Sequence, residues 1–133
     1  MTSIADQAER YLQDLAHPCA QPSARQCLVC FVARAVEELG CDETLRWAQR
    51  FREVRSPTAT GLEHRLAEVG AFCDCEVLLN GYRLARHLLV RDLATDELEA
   101  PDELPDCAGV RSTSARPCGH WRRRTTSVWD DAP

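Results

Sequence analysis

Apolar residues recur every three or four positions through the first part of the chain, which places them on one side of a helix. The first such pattern covers residues 3–16, where Ser3 can cap the helix and Pro18 prevents its extension. The second covers residues 26–39, and Gly40 supplies the left-handed residue that commonly ends a helix. The pattern therefore predicts two amphipathic helices.

Two further helices follow in the sequence. Asp42 can cap a helix over residues 43–54, whose apolar and charged positions separate onto two sides. Thr60 and Glu63 have the spacing of a capping box for a short fourth helix that ends at Gly70.

Beyond the fourth helix the pattern changes to a hairpin signal. Asn80-Gly81 lies between apolar runs, and both residues tolerate the positive φ of a two-residue hairpin turn. The register of such a hairpin places Cys75 opposite Arg86. A helix over residues 82–91 is the competing prediction, because apolar residues also cluster there at helical spacing.

In the first strand of this predicted hairpin, side chains alternate between the two faces of the sheet. Cys73 and Cys75 then share one face. Asp74 and Glu76 point the other way, which predicts two solvated carboxylates.

Length and composition predict how these elements are combined. A chain of 133 residues is most simply one domain. We expect a single α+β domain over residues 1–91, with about four short helices packed with one β-hairpin. Residues 92–106 are rich in acids and predict a solvated linker, while residues 107–133 form a basic tail, either disordered or folded back over the body.

The charge and hydropathy exclude several classes of function. The net charge of −5 argues against nucleic acid as the main partner, because phosphate neutralisation supplies most of that affinity. The sequence contains neither a run long enough to cross a membrane nor a recognisable signal peptide. We therefore expect a cytoplasmic protein that does not associate with membranes.

Eight cysteines in a protein without a signal peptide indicate reduced thiols or metal ligands and not a disulfide framework. Structural zinc takes four N or S ligands, usually as close pairs from two elements. Two such pairs occur here, and they predict a structural zinc site at Cys27, Cys30, Cys73 and Cys75. Four thiolates with Zn²⁺ carry a formal charge of −2, which Arg25 and Arg86 could offset.

Other assignments of the cysteines stay open at this point. Cys41, Cys107, Cys118 or His120 could replace any of the proposed ligands, or the thiols could bind no metal. A C-x-x-C pair at a helix N-terminus also favours thiolate chemistry, so Cys27 and Cys30 could serve a redox sensor or oxidoreductase. Against this alternative, no strand is predicted before the helix.

Two segments carry a resemblance to a known family. Residues 40–47 read Gly-Cys-Asp-x-Thr-Leu-Arg-Trp, and residues 72–77 read Phe-Cys-Asp-Cys-Glu-Val. Over roughly residues 25–82 the chain resembles the bacterial domain of unknown function 2695 family, although Ala71 stands where a second glycine is expected. The resemblance implies that Cys41 belongs to one unit with Cys73 and Cys75, and it implies no activity.

These observations favour a non-enzymatic, zinc-stabilised module that acts by binding another protein. The thiol-based redox function is the alternative. The sequence leaves the partner and the oligomeric state open.

Overall fold

The computed structural model describes residues 3–125 together with residues 127 and 129. It is an α+β structure, with five α-helices and four short β-strands in that part of the chain. The helices are α1 (Ile4–Ala16), α2 (Leu28–Leu39), α3 (Arg46–Arg55), α4 (Leu62–Glu68) and α5 (Asp74–Glu76). The strands are β1 (Tyr82–Leu84), β2 (Val90–Arg91), β3 (Leu98–Glu99) and β4 (Trp121–Arg123).

The first two helices form as the pattern predicts. The Ser3 hydroxyl accepts the N–H of Asp6 at 3.1 Å and so caps α1. Helix α2 ends at Gly40, which has a φ of 84°. One side of α2 is buried in the centre of the core, and its buried residues are Leu28, Val29, Phe31, Val32, Ala33 and Ala35.

The predicted starts of α3 and α4 were wrong. Asp42 caps the turn before α3, accepting the N–H of Thr44 at 3.0 Å, and α3 begins later, at Arg46. Helix α4 begins after Gly61 and has no side-chain cap, so Thr60 and Glu63 do not form the predicted capping box. Neither start depends on the side chain predicted to cap it: the Asp74 carboxylate accepts the N–H groups of Trp47 and Ala48 in the first turn of α3, and α4 begins without a side-chain cap.

The predicted hairpin at Asn80-Gly81 is also wrong. Residues 74–76 are α-helical, and a π-helical turn continues from Val77 to Gly81. The helical turn buries Asp74 and Val77 together, which an alternating strand would have placed on opposite faces. Cys75 therefore has no strand register with Arg86, and Asp74 is buried where a solvated carboxylate was predicted.

The strand that follows pairs with the C-terminal part of the chain. Tyr82 lies opposite Arg123, and Leu84 lies opposite Trp121, in an antiparallel pair. Ala115, Cys118 and Trp121 are buried in the same core as the helices. Residues 126, 128 and 130–133 of the predicted tail lie outside the described residues, as do residues 1 and 2 of the predicted domain.

A second, smaller sheet lies between β1 and the C-terminal segment in the sequence. Strand β2 pairs with β3, so that Val90 lies opposite Glu99. Arg91 and Asp96 form an ion pair of 2.7 Å across the connecting turn. Residues 92–99 of the acidic segment thus belong to a short hairpin on the surface.

Candidate metal centre

The first two cysteines of the site belong to the start of α2. Cys27 is the N-cap residue, and its Sγ accepts the N–H of Cys30 at 3.3 Å. Unpaired N–H groups at a helix start are natural donors to a thiolate. The spacing of three residues then brings both sulfurs to the same end of the helix.

The other two cysteines come from the C-terminal segment. The Sγ atoms of Cys27, Cys30, Cys107 and Cys118 all lie within 4.8 Å of one another. The Sγ atoms of Cys30 and Cys118 are 3.9 Å apart. Four sulfurs at tetrahedral positions around zinc lie about 3.8 Å apart. The cluster could therefore hold a metal ion after little rearrangement.

Backbone and indole N–H groups surround the sulfurs of this four-cysteine cluster. Cys107 Sγ accepts the N–H of Cys27 at 3.2 Å and that of Gly109 at 3.3 Å. The indole N–H of Trp121 donates to Cys30 Sγ at 3.2 Å. Such donors stabilise thiolates, which are the form that binds a metal.

The thiols of the cluster have strongly unequal proton affinities. A hydrogen bond from the Cys30 thiol lowers the pKa of Cys27 to about 5, although burial opposes this. The same hydrogen bond, together with burial, raises the pKa of Cys30. Burial is also the main cause that raises the pKa of Cys118. The Cys27 thiolate therefore forms easily, and the thiolates of Cys30 and Cys118 need a further positive charge nearby.

Arg55 lies next to this cluster, a position that was not predicted from the sequence. Its guanidinium is buried, yet it donates to carbonyl oxygens of Ser112 at 2.6 Å and Gln26 at 2.8 Å. It also donates to the carbonyls of Ser23 and Arg111. Burial lowers the pKa of Arg55, while the charges of Cys107 and Cys27 raise it. Arg55 thus joins the segment before α2 to the segment between the two later cysteines.

The structure divides the set of four residues predicted from the sequence. Cys27 and Cys30 meet Cys107 and Cys118, whereas Cys73 and Cys75 lie beside Cys41. The reason is the helical turn at residues 74–76, which replaces the predicted strand and turns this segment toward the loop between α2 and α3. Metal binding by Cys73 and Cys75 stays a prediction.

The two arginines that were expected to offset the charge lie in different places: Arg86 lies against Trp129, whereas the side chain of Arg25 lies beside Gly109, next to Cys107. Arg86 stacks on the ring of Trp129, with its guanidinium carbon 4.3 Å from the ring centroid. The backbone carbonyl of Arg25 accepts the N–H of Val110 at 2.9 Å, close to the loop that presents Cys107. Arg55 interacts electrostatically with the sulfurs of Cys107 and Cys27.

Cys107 and Cys118 were named only as possible replacements in the sequence. The signal that could have identified them is their occurrence together with Trp121 in the C-terminal segment, because cysteines and tryptophan are unusual in a solvated segment. Their ten intervening residues gave no knuckle spacing, and their convergence on α2 depends on contacts between residues about 80 to 90 positions apart.

None of the helices in the described part of the chain is long and apolar enough to cross a membrane. The fold and the cluster together define a small, cysteine-rich α+β protein with a site compatible with metal binding.

The chain belongs to the family described as a protein of unknown function (DUF2695), which it matches over residues 28–80. It is 33% identical to the uncharacterized protein Rv2271 of Mycobacterium tuberculosis, over 60% of this chain and 92% of the relative. The uncharacterized protein Mb2294 of Mycobacterium bovis is similar to the same extent. No solved structure matches the chain significantly.

Proposed function

We propose that this protein is a non-enzymatic module in which one zinc ion, bound by Cys27, Cys30, Cys107 and Cys118, fastens the C-terminal segment to α2. The observation that carries the proposal is the mutual approach of the four sulfurs to within 4.8 Å. The four residues come from three separate segments of the chain, so the ion would act as a cross-link within one fold.

The ligand set favours zinc in a structural role. Four thiolates are typical of structural zinc sites, whereas catalytic sites keep one position for water or substrate. Cys27 and Cys118 are buried, and N–H groups already donate to the sulfurs of Cys27, Cys30 and Cys107. A structural zinc site contributes on the order of 10 kcal/mol in small peptides, which would compensate for the small core of this chain.

A metal-free redox pair is the alternative, and one observation favours it. The Cys30 and Cys118 sulfurs are 3.9 Å apart, and the low pKa of Cys27 provides a reactive thiolate at neutral pH. Zinc is the stronger proposal because a redox pair needs two of the sulfurs, and here four converge.

The metal content of the purified protein tests the proposal. We expect one equivalent of zinc in protein purified without a metal-binding tag, and cobalt exchanged into the site should give the intense thiolate-to-metal bands of four sulfur ligands. Substitution of Cys118 by Ser should abolish stoichiometric binding.

The matched control is Cys19→Ser, because Cys19 is also a buried thiol and lies outside the four-cysteine cluster. This variant should retain the full zinc content. Protein that carries no metal and instead forms a reversible disulfide at Cys27 or Cys30 would contradict the proposal and favour the redox alternative.

The partner is proposed to be another protein, and the supporting feature is a groove of about 770 Å³ between the two small sheets. Its apolar lining residues are Leu78, Tyr82, Leu84, Leu89, Leu98, Ala100, Leu104, Trp121 and Trp129. Apolar grooves of this kind accept the apolar side chains of a bound segment. A cytoplasmic location agrees with reduced thiols and is part of the same proposal.

A further inference from the structure

A second group of cysteines lies apart from the four-cysteine cluster. Cys41 lies in the loop between α2 and α3, and Cys73 and Cys75 flank the start of α5. The N–H of Cys75 donates to Cys41 Sγ at 3.4 Å. All three residues are partly exposed to solvent. We call them the second thiol group.

The second thiol group differs in geometry from the metal centre. It contains three cysteines, whereas the first cluster contains four whose sulfurs all lie within 4.8 Å of one another. Cys41 is the central member, because its thiol interacts with the thiols of both Cys75 and Cys73. Three thiols are one sulfur short of a four-thiolate zinc site, whereas one sulfur in contact with two neighbouring thiols suits a pairwise reaction.

From this geometry we propose that Cys41 is a peroxide-reactive thiolate that forms a reversible disulfide with Cys75. In the first step the Cys41 thiolate attacks hydrogen peroxide, the O–O bond breaks, and with one proton the products are a sulfenic acid and water. In the second step the Cys75 sulfur attacks the Cys41 sulfur, a second water leaves, and the S–S bond forms. Two electrons pass from the two thiols to one peroxide.

The roles of the two residues follow from their surroundings. The pKa of Cys41 is lowered because backbone N–H groups of Cys75 and Glu43 and both neighbouring thiols donate to it, which outweighs burial. Burial and the hydrogen bond to Cys41 raise the pKa of Cys75 to about 11, so Cys75 is not the thiolate that attacks peroxide; its proton leaves with the hydroxyl of the sulfenic acid, as water, when its sulfur attacks Cys41.

The second thiol group lies within the segment that matches the family, and this supports a role for it that is separate from the four-cysteine cluster. Residues 28–80, which match the family, contain Cys41, Cys73 and Cys75, but only Cys30 of the four-cysteine cluster. The second thiol group is therefore the cysteine feature that lies wholly within the family segment. The new disulfide would join the α2–α3 loop to α5 by a covalent bond.

The test treats the zinc-loaded full-length protein with a small excess of hydrogen peroxide and follows its intact mass. We expect a rapid loss of about 2 Da that dithiothreitol reverses. Trypsin cleaves after Arg34, Arg46, Arg65 and Arg83, so the disulfide should link the peptide of residues 35–46 to that of residues 66–83. The zinc content should not change while this disulfide forms.

Variants separate the possible outcomes. Cys41→Ser should abolish the fast phase, Cys75→Ser should leave a sulfenic acid that dimedone traps, and Cys19→Ser should react like the wild type. Oxidation that begins instead at the peptide of residues 26–34, with loss of zinc, would contradict the proposal. So would a second equivalent of zinc that Cys41→Ser removes, because it would make the second thiol group a metal site.

Discussion

At the scale of single residues, Arg55 shows how one buried side chain can hold three segments together. Its guanidinium donates to four backbone carbonyls, two before α2 and two in the loop between Cys107 and Cys118. A buried carbonyl group that loses its hydrogen-bond donor still pays the free-energy cost of its removal from water, with no hydrogen bond to offset that cost. Arg55 is thus both a structural clamp and a source of positive charge beside the sulfurs.

Substitution of Arg55 by Met should therefore destabilise the protein by about 2–4 kcal/mol, since it removes several buried hydrogen bonds at once. The matched control is Arg52→Met on the same helix, where a half-exposed ion pair of 3.4 Å to Glu63 is lost. That change should cost at most about 1 kcal/mol. Urea unfolding of both variants measures the difference, and equal costs would contradict the clamp.

At the scale of elements, Asp74 connects two helices that are distant in sequence. Its carboxylate oxygens accept the N–H groups of Trp47 at 2.9 Å and Ala48 at 3.1 Å, at the first turn of α3. The residue is fully buried. Helix α5 thus supplies the cap that Asp42 was expected to provide, and this contact explains why residues 74–76 turn inward.

The pH dependence of stability should report this contact. Burial raises the pKa of Asp74 to about 6, although the N–H groups of Trp47 and Ala48 oppose the shift. The folded state then holds a proton that the unfolded chain has released, so stability is greater below pH 4 and falls as pH rises toward 6. Relative to Asp74→Asn, the wild type should lose about 3 kcal/mol across this window.

Comparison with the Asn variant cancels the contributions of groups that both proteins share, including the thiols of the four-cysteine cluster. The measurement is the free energy of unfolding in urea at closely spaced pH values. If the difference in unfolding free energy between the two proteins does not change with pH, the backbone N–H groups of Trp47 and Ala48 keep Asp74 ionised throughout. The raised pKa of Asp74 would then be wrong.

At the scale of the whole molecule, the C-terminal segment completes the fold. It supplies two of the four clustered cysteines, a partner strand for β1 and three side chains of the core. The same segment contributes Trp121 to the wall of the groove and to the hydrogen bonds around the four-cysteine cluster. Trp121 therefore couples the cluster to the shape of the groove.

The apolar groove leads to a prediction for the proposed protein partner. Leu98→Asp should abolish binding of a specific partner, because it places a charge in the apolar groove. The control is Leu12→Asp on α1, which changes an exposed leucine outside the groove. Affinity is measured by titration with the purified partner, and equal binding by both variants would show that the groove is not the interface.

The sequence was sufficient where the deciding interactions are local. The periodicity of residues 3–16, the cap at Ser3 and the terminator at Gly40 act within one or two helical turns, and the structure confirms α1 and α2. The α+β class and the family membership were likewise evident from the chain. The position of Cys27 and Cys30 on one helical turn also follows from local geometry.

Only the tertiary structure decided the rest, because distant contacts outweighed local signals. Asn80-Gly81 has the local chemistry of a hairpin turn, but burial of Asp74 and Val77 and the caps on α3 favour a helical turn. The hairpin would have placed Cys73 and Cys75 on a strand. The actual fold sends them to Cys41 and brings Cys107 and Cys118 to α2 across 80 or more residues, a separation at which cysteine spacing carries no information.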